Sequence, residues 1–534
     1  MVGSKQHSSR WILGPVVVMA TFVGGCGSVE PGNEGRYVDA PPYYDPEPSA
    51  VPPDEQPPLF DPNATPLVCK PDIAVDSNSR ALVVTDPEVL ARFGLERVLQ
   101  QLIDRSGIAS TPLHMMQHLF DTQNSIGTGV FSEVMHCDDP GNVAFREAPA
   151  AFCPRAEGKL ATSTGFFQEG HPDSFVPVAL VNRFDLTPAA GSNCGEHRIM
   201  FAKLSGLTNP NERMFLAFEG VLDNVFPSDT LRGCRPVAEL WASLAHETDL
   251  QVVGDRMEAL YFQGFSGFSP VVSPEHYSSS LFGGEDEGGG YGDKTGHPRH
   301  GQLRLSEGMQ EPWEFREFHL RLASGPNFES ILAFQPVTTK NNPRPELFDS
   351  SVVNSDSTGF RTQLLAELPA LAAKDTFGIQ FAPANARWNA GASMITSNPA
   401  ADFSSRAFAG EVGQSFWAQI QSAMTAKNLG SNCPSDDPLT PEHLMQRVSM
   451  LSCAGCHAPE QYLGASRSLG CGQTWPQISQ RAHIDERGQL SPAMTDSFLP
   501  RRAEILAMYL QACDIPAIEA SLQPRERFSS DTLP

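Results

Sequence analysis

Between residues 174 and 339 the chain returns again and again to one kind of segment. "SFVPVALVNRFDL", "EHRIMFAKL", "RMFLAFEGVL", "GQLRLSE", "WEFREFHLRL" and "SILAFQPVTT" are short and rich in β-branched and aromatic residues. That is the composition of β-strands. Strands of this kind pair into a sheet, and the sheet's apolar face must be covered by a second layer. Helical patterns offer that layer. "DPEVLARFGLERVLQQLIDRSG" has Asp86 as a cap, Pro87 in the first turn, and Val89, Leu90, Phe93, Val98, Leu99 and Leu102 at helical spacing. "TPLHMMQHLFD" starts a second helix in the same way, "CRPVAELWASLA" reads as helix among the strands, and helices return after about residue 360. The expected class is α+β. Residues 67–430 read as one large domain on an antiparallel sheet, with room for two subdomains, and 431–534 as a small, mainly α domain.

Charges fall inside the strand runs. Arg183 and Asp185 of "VNRFDL" point the same way on an extended chain, and "CGEHRIMF", "WEFREFHL" and "PVTTKNNP" carry more. Buried ion pairs are one reading and the wall of a pocket is the other. His114 and His118 lie one helical turn apart, as two ligands of one metal do, but no third ligand is evident in the sequence. Packed or exposed helix histidines are the plainer reading. "HPRH" at 297–300 reads as a polar turn and "FGGEDEGGGYGD" at 282–293 as a surface loop. There is no G-x-S-x-G elbow, Walker loop or HExxH. The formal net charge of −24 argues against nucleic acid or an anionic membrane face as a partner.

The N-terminus is a targeting segment rather than part of the fold. Lys5 and Arg10 precede the apolar "WILGPVVVMATFVGG", which is too short to span a bilayer comfortably. Its end, Val23-Gly24-Gly25-Cys26, resembles a bacterial lipobox. That resemblance implies a signal peptide over 1–25, cleavage before Cys26 and lipidation of Cys26. With Gly27 rather than aspartate next, it implies an outer-membrane anchor, so the membrane is a partner through the N-terminal lipid. Residues 26–66 are rich in proline and acids and read as a disordered tether.

Export places the 11 cysteines in an oxidising compartment. Setting aside Cys26, Cys453 and Cys456 leaves eight, an even number. Nearness in sequence suggests Cys137–Cys153, Cys194–Cys234 and Cys471–Cys513, leaving Cys69–Cys433, one pattern among the ~105 that eight cysteines allow.

"LSCAGCH" contains Cys453, Cys456 and His457. The helical "TPEHLMQRVSM" leads into it, with Thr440 as cap and Pro441 first, and "LPRRAEILAMYLQACD" follows as a closing helix, stopped before Pro516. C-x-x-C-H suits covalent haem: two thiols reach the two vinyl groups and the next imidazole reaches the iron. The segment at about 433–516 resembles a single-haem class I cytochrome c domain. The resemblance implies one covalent haem c, held by Cys453 and Cys456, with His457 as axial ligand. Met494 in "LSPAMTDSFLP" is the implied sixth ligand and His483 the runner-up. Trp475 is either a residue packed on the porphyrin or part of the core.

Two other readings compete: a structural zinc site using His457, Cys471 and His483, or a Cys453–Cys456 disulfide with an incidental histidine. The chain as a whole also resembles a family of bacterial outer-membrane lipoproteins of uncharacterised activity, which implies an architecture and no activity. The expected function is therefore electron transfer by an extracytoplasmic lipoprotein to or from a redox partner protein, more than substrate turnover. The alternative is a non-redox structural or binding envelope lipoprotein. A third is a hydrolase or binding domain with a vestigial redox appendage.

Overall fold

All six strand runs are strands of a single antiparallel sheet in the computed structural model of the chain. The structure describes residues 73–139, 152–187, 193–226, 230–277, 301–324, 330–395, 399–409, 415–478 and 480–512. The sheet runs in chain order: β1 (Val83–Val84), β2 (Phe175–Arg183), β3 (Asn193–Lys203), β4 (Met214–Asp223), β5 (Gln302–Glu307), β6 (Glu314–Ser324) and β7 (Ser330–Val337). A short β8 (Ser393–Met394) pairs with β6. Neither β1 nor β8 was expected; at two residues each they are too short to show periodicity. A small hairpin of β9 (Ser468–Gly470) and β10 (Gln473–Thr474) stands apart from the sheet.

Before and among the strands lie α1 (Pro87–Leu90), α2 (Leu95–Ser106), α3 (Pro112–Asp121), α4 (Thr230–Ser243) and α5 (Leu250–Glu258). After them come α6 (Ser355–Leu371), α7 (Pro399–Phe408), α8 (Phe416–Ala426), α9 (Pro441–Met450), α10 (Cys453–His457), α11 (Pro459–Leu463) and α12 (Leu499–Gln511). The single helix expected after Asp86 is two, α1 and α2. Gly94 interrupts it as the cap of α2, and the Asp86 carboxylate accepts from Nε and Nη2 of Arg80 at 2.7 and 2.8 Å instead of capping.

Register gives the sheet two unlike faces, because side chains alternate. One face carries the row Ile199–Phe218–Leu303–Phe318 across four strands. Around Phe218 lie Phe201, Tyr277 and Phe334, with ring centroids 5.7, 6.2 and 5.9 Å away. The other face carries Arg198, Glu219, Arg304 and Glu317. The C-terminal elements rest against this second face. The Phe315 ring on β6 lies 4.5 Å from that of His457, and Ser393 Oγ on β8 accepts from the Ala454 N–H at 3.0 Å. Arg213 beside β4 holds Glu486, and Arg502 on α12 lies 3.7 Å from Asp185. The hydrophobic core runs without a break from the sheet into α9, α10 and α12.

Among the described residues, disulfides join Cys137–Cys153 and Cys194–Cys234, as expected. The third is Cys433–Cys471, which overturns both Cys471–Cys513 and Cys69–Cys433. Asp437 is the physical reason. Its carbonyl accepts from the Cys471 N–H at 2.9 Å and its carboxylate from the Gly472 N–H at 2.7 Å, which lays the β9–β10 turn along residues 433–437. Cys69, Cys513, the signal and tether segments with Cys26, Pro516, and the stretches 282–293 and 297–300 lie outside the described residues. No helix among the described residues is long and apolar enough to cross a membrane.

Candidate functional site

α9 aims the cysteine motif. Thr440 caps it, accepting from the His443 N–H at 3.2 Å, and Pro441 takes the first position, both as expected. The chain then breaks at Leu451–Ser452, and the motif forms its own short helix, α10, capped by Ser452 Oγ on the Gly455 N–H at 3.1 Å. Gly455 permits the tight turn: a Cβ there would sit 2.0 Å from the Ser449 carbonyl oxygen. Arg447, fully buried, braces α9 from below. It donates to the carbonyls of Leu371 and Ala373 at the end of α6, and to Leu469 and Gly470 of the hairpin, at 2.7–3.1 Å. Those helix-end carbonyls have no intrahelical partner of their own.

The two thiols are buried and unjoined, unlike the other described cysteines. Burial pushes Cys453 up to about 11 and Cys456 up to about 12, so both are protonated at neutral pH. His457 Nδ1 lies 3.1 Å from the Arg481 carbonyl oxygen. A carbonyl only accepts, so the proton is on Nδ1 and Nε2 keeps its lone pair. The His483 ring packs 4.5 Å from that of His457, and its Nε2 lies 3.5 Å from Cys456 Sγ. His483 Nδ1 is buried without a hydrogen-bond partner. Burial lowers His457 to about 4 and takes His483 well below its ordinary value, so both imidazoles are neutral and can donate lone pairs.

The two histidines open onto a cleft between the sheet and the C-terminal segment, while the thiols are buried and are not on its wall. The sheet contributes Arg198, Met200, Phe215, Glu219, Arg304 and Phe315. The C-terminal segment contributes His457, Arg481, His483, Met494, Phe498 and Arg502. Met494 sits where the loop turns into α12, its N–H on the Ser491 carbonyl at 2.9 Å. Trp475 is a core residue, 1% exposed, and is not on the cleft wall.

No family model, curated protein or solved structure matches this chain.

The charge on the cleft wall is opposite to that of the chain. Four arginines and one glutamate line it, although the whole sequence carries −24. Glu219 stands between Arg198 and Arg304, at 3.1 and 3.3 Å, and Arg304 reaches Glu317 at 3.1 Å. Burial works to raise Glu219, but the two arginines outweigh it and hold the carboxyl ionised below its ordinary range. Among the described residues, Arg502 pairs with Asp185 at a long 3.7 Å. Burial first, then the nearby Arg183 and Arg198, lowers it to about 9. An anion in the cleft would relieve that crowding.

Of the residues that sequence reasoning found, His457, His483 and Met494 line the cleft; Cys453 and Cys456 are buried on α10 and are not on its wall, although Cys456 Sγ lies 3.5 Å from His483 Nε2. Charges inside strands are both ion pairs and pocket wall. Arg183 and Asp185 do pair, at 3.0 Å, although Asp185 lies in a short helical turn after β2 rather than on the strand. The zinc reading loses a ligand, because Cys471 is bonded to Cys433. Glu219, Arg304, Arg481 and Arg502 were not singled out. For the first two, the available signal was a charge in the middle of an apolar strand run. His114 and His118 lie outside this cleft, on α3.

Proposed function

We propose that this protein carries one covalent c-type haem in the cleft and transfers electrons from the cell envelope, to which a lipid on Cys26 anchors it. One observation carries the reading: α10 holds two buried, unjoined thiols and, next to them, a neutral histidine that has Nδ1 already tied to a carbonyl and lines the cleft. An axial histidine is usually fixed in this way through its other ring nitrogen. Haem would supply one-electron chemistry at its iron. Cys453 and Cys456 would hold it through thioethers. His457 Nε2 and Met494 would hold its iron, since His483 is already packed against His457 and Cys456. Arg481 and Arg502 suit the carboxylates of such a group, and Phe315, Met200 and Phe498 its apolar body. The segment from 431 would then do the work of a cytochrome c domain while sharing its core with the sheet. A redox partner protein would exchange electrons with it.

The test is the visible spectrum of protein made in a host competent for c-type haem attachment. We expect colour that survives denaturation, is reduced in Cys453→Ala and Cys456→Ala, and is abolished in the double variant. Met494→Ala should keep the colour and lower the reduction potential; an unchanged potential would move the sixth position to His483 or leave it open to a substrate. A colourless product with Cys453 and Cys456 joined overturns the reading. Mass spectrometry of native mature protein checks the anchor, which fails if Cys26 is unmodified.

A further inference from the structure

On the far side of the fold the structure supplies the third ligand that the sequence did not reveal. Asp121, at the end of α3 and fully buried, gathers the following loop onto itself. Its carboxylate accepts from the N–H groups of Val130 and Phe131 at 2.8–3.0 Å and from Asn124 Nδ2 at 2.7 Å, and lies 3.2 Å from His136 Nε2. The Cys137 N–H returns to the Asn124 carbonyl at 3.1 Å, and Cys137 is clipped to Cys153. The loop is thereby closed and held against α3, and Glu133 comes to lie beside the two histidines of that helix.

The ligand atoms of His114, His118 and Glu133 all lie within 4.8 Å of one another. His118 Nε2 and Glu133 Oε1 are 3.3 Å apart, with side chains only 3% and 10% exposed. That separation is roughly the edge of a tetrahedron with Zn–N and Zn–O bonds of about 2 Å. Yet neither atom has a hydrogen-bond partner. A buried imidazole nitrogen and a buried carboxylate oxygen facing each other unsatisfied is a costly arrangement. A divalent cation between them satisfies both.

We infer that His114, His118 and Glu133 bind one divalent first-row cation, with zinc the best fit. Two imidazoles and a carboxylate form a ligand set suited to zinc, and three protein ligands leave a fourth position for water or a small ligand. A small cavity adjoins His118 and Glu133, bounded also by Thr122, Met135, Phe334 and Gln335. The site is distinct from the cysteine cleft, with which it shares no lining residue.

The test is calorimetric titration of the full-length, chelator-treated protein with Zn²⁺ alone. We expect one equivalent to bind. Glu133→Gln and His114→Gln should each weaken binding at least about tenfold, because even loss of an outer partner of a metal ligand costs that much. His118→Gln is the more disruptive variant, since His118 is core. The other two are checked by unchanged far-ultraviolet circular dichroism, so that lost binding is not lost folding. Absence of binding by the wild-type chain overturns the proposal. So does binding that is unchanged in folded Glu133→Gln and lost in His457→Gln, which would place the zinc in the cysteine cleft.

Discussion

Phe218 and Glu219 are neighbours on β4 and belong to two different chemistries. Phe218 points into an aromatic core and is fully buried. Glu219, also buried, points the other way, between two arginines on the wall of the cleft. The apolar face needs only volume and fit. The charged face needs each member's partner, because a buried charge without one is costly. The difference teaches that one face serves stability and the other was kept polar at a cost, as expected where a site must bind a charged group.

Substitutions at these neighbours test the comparison directly. Phe218→Ala leaves a cavity among Phe201, Tyr277 and Phe334, and should cost about 4 kcal/mol in denaturant unfolding. A loss under about 1 kcal/mol would mean that the apolar face is not the main core.

The apolar face also hides titratable groups, and pH should reveal one of them. His197, fully buried, accepts the Trp241 indole N–H on Nδ1 at 3.0 Å, and burial lowers it to about 3. Between pH 6.5 and 3 the unfolded chain binds a proton that the folded chain refuses, so stability falls as pH drops through that window. The contribution reaches about 3 kcal/mol by pH 4. His197→Gln keeps an acceptor for Trp241 and removes the titration, so its stability should fall less steeply over this range. Parallel curves for the two proteins would remove His197 as the source.

Glu219→Gln should cost about 2 kcal/mol, less than Phe218→Ala, because Arg198 keeps Glu196 and Arg304 keeps Glu317. Measured in the same unfolding series, a loss equal to or above that of Phe218→Ala would reverse the ranking of the two faces.

The smallest effect is expected at Glu307, at the rim of the apolar face. It stands directly across the β5–β6 ladder from Glu314, and both its oxygens are buried without hydrogen bonds. Burial first, then Glu314 and Glu157, raises it well above the usual carboxyl range. A raised carboxyl favours folding below its unfolded pKa and loses that benefit as pH rises toward the folded one. Glu307→Gln removes this dependence and should be neutral or stabilising by under about 1 kcal/mol at neutral pH. A clear loss of stability there would show that Glu307 works as an anion.

Local patterns were legible from the sequence. The six strand runs, the caps at Thr111 and Thr440, the helix over "CRPVAELWASLA" and the motif of Cys453, Cys456 and His457 are all set by residues within a few positions of one another. Strand alternation and helix capping are short-range rules, so a single chain displays them. What only the tertiary structure decided is which distant groups meet. Arg198, Glu219 and Arg304 form a ladder because the register of three strands aligns them. Cys471 finds Cys433 because Asp437 lays one loop along another. Glu133 reaches His118 because Asp121 folds a loop back on its helix. Each of these depends on strand register or loop closure, which the whole packed chain sets and no local spacing encodes.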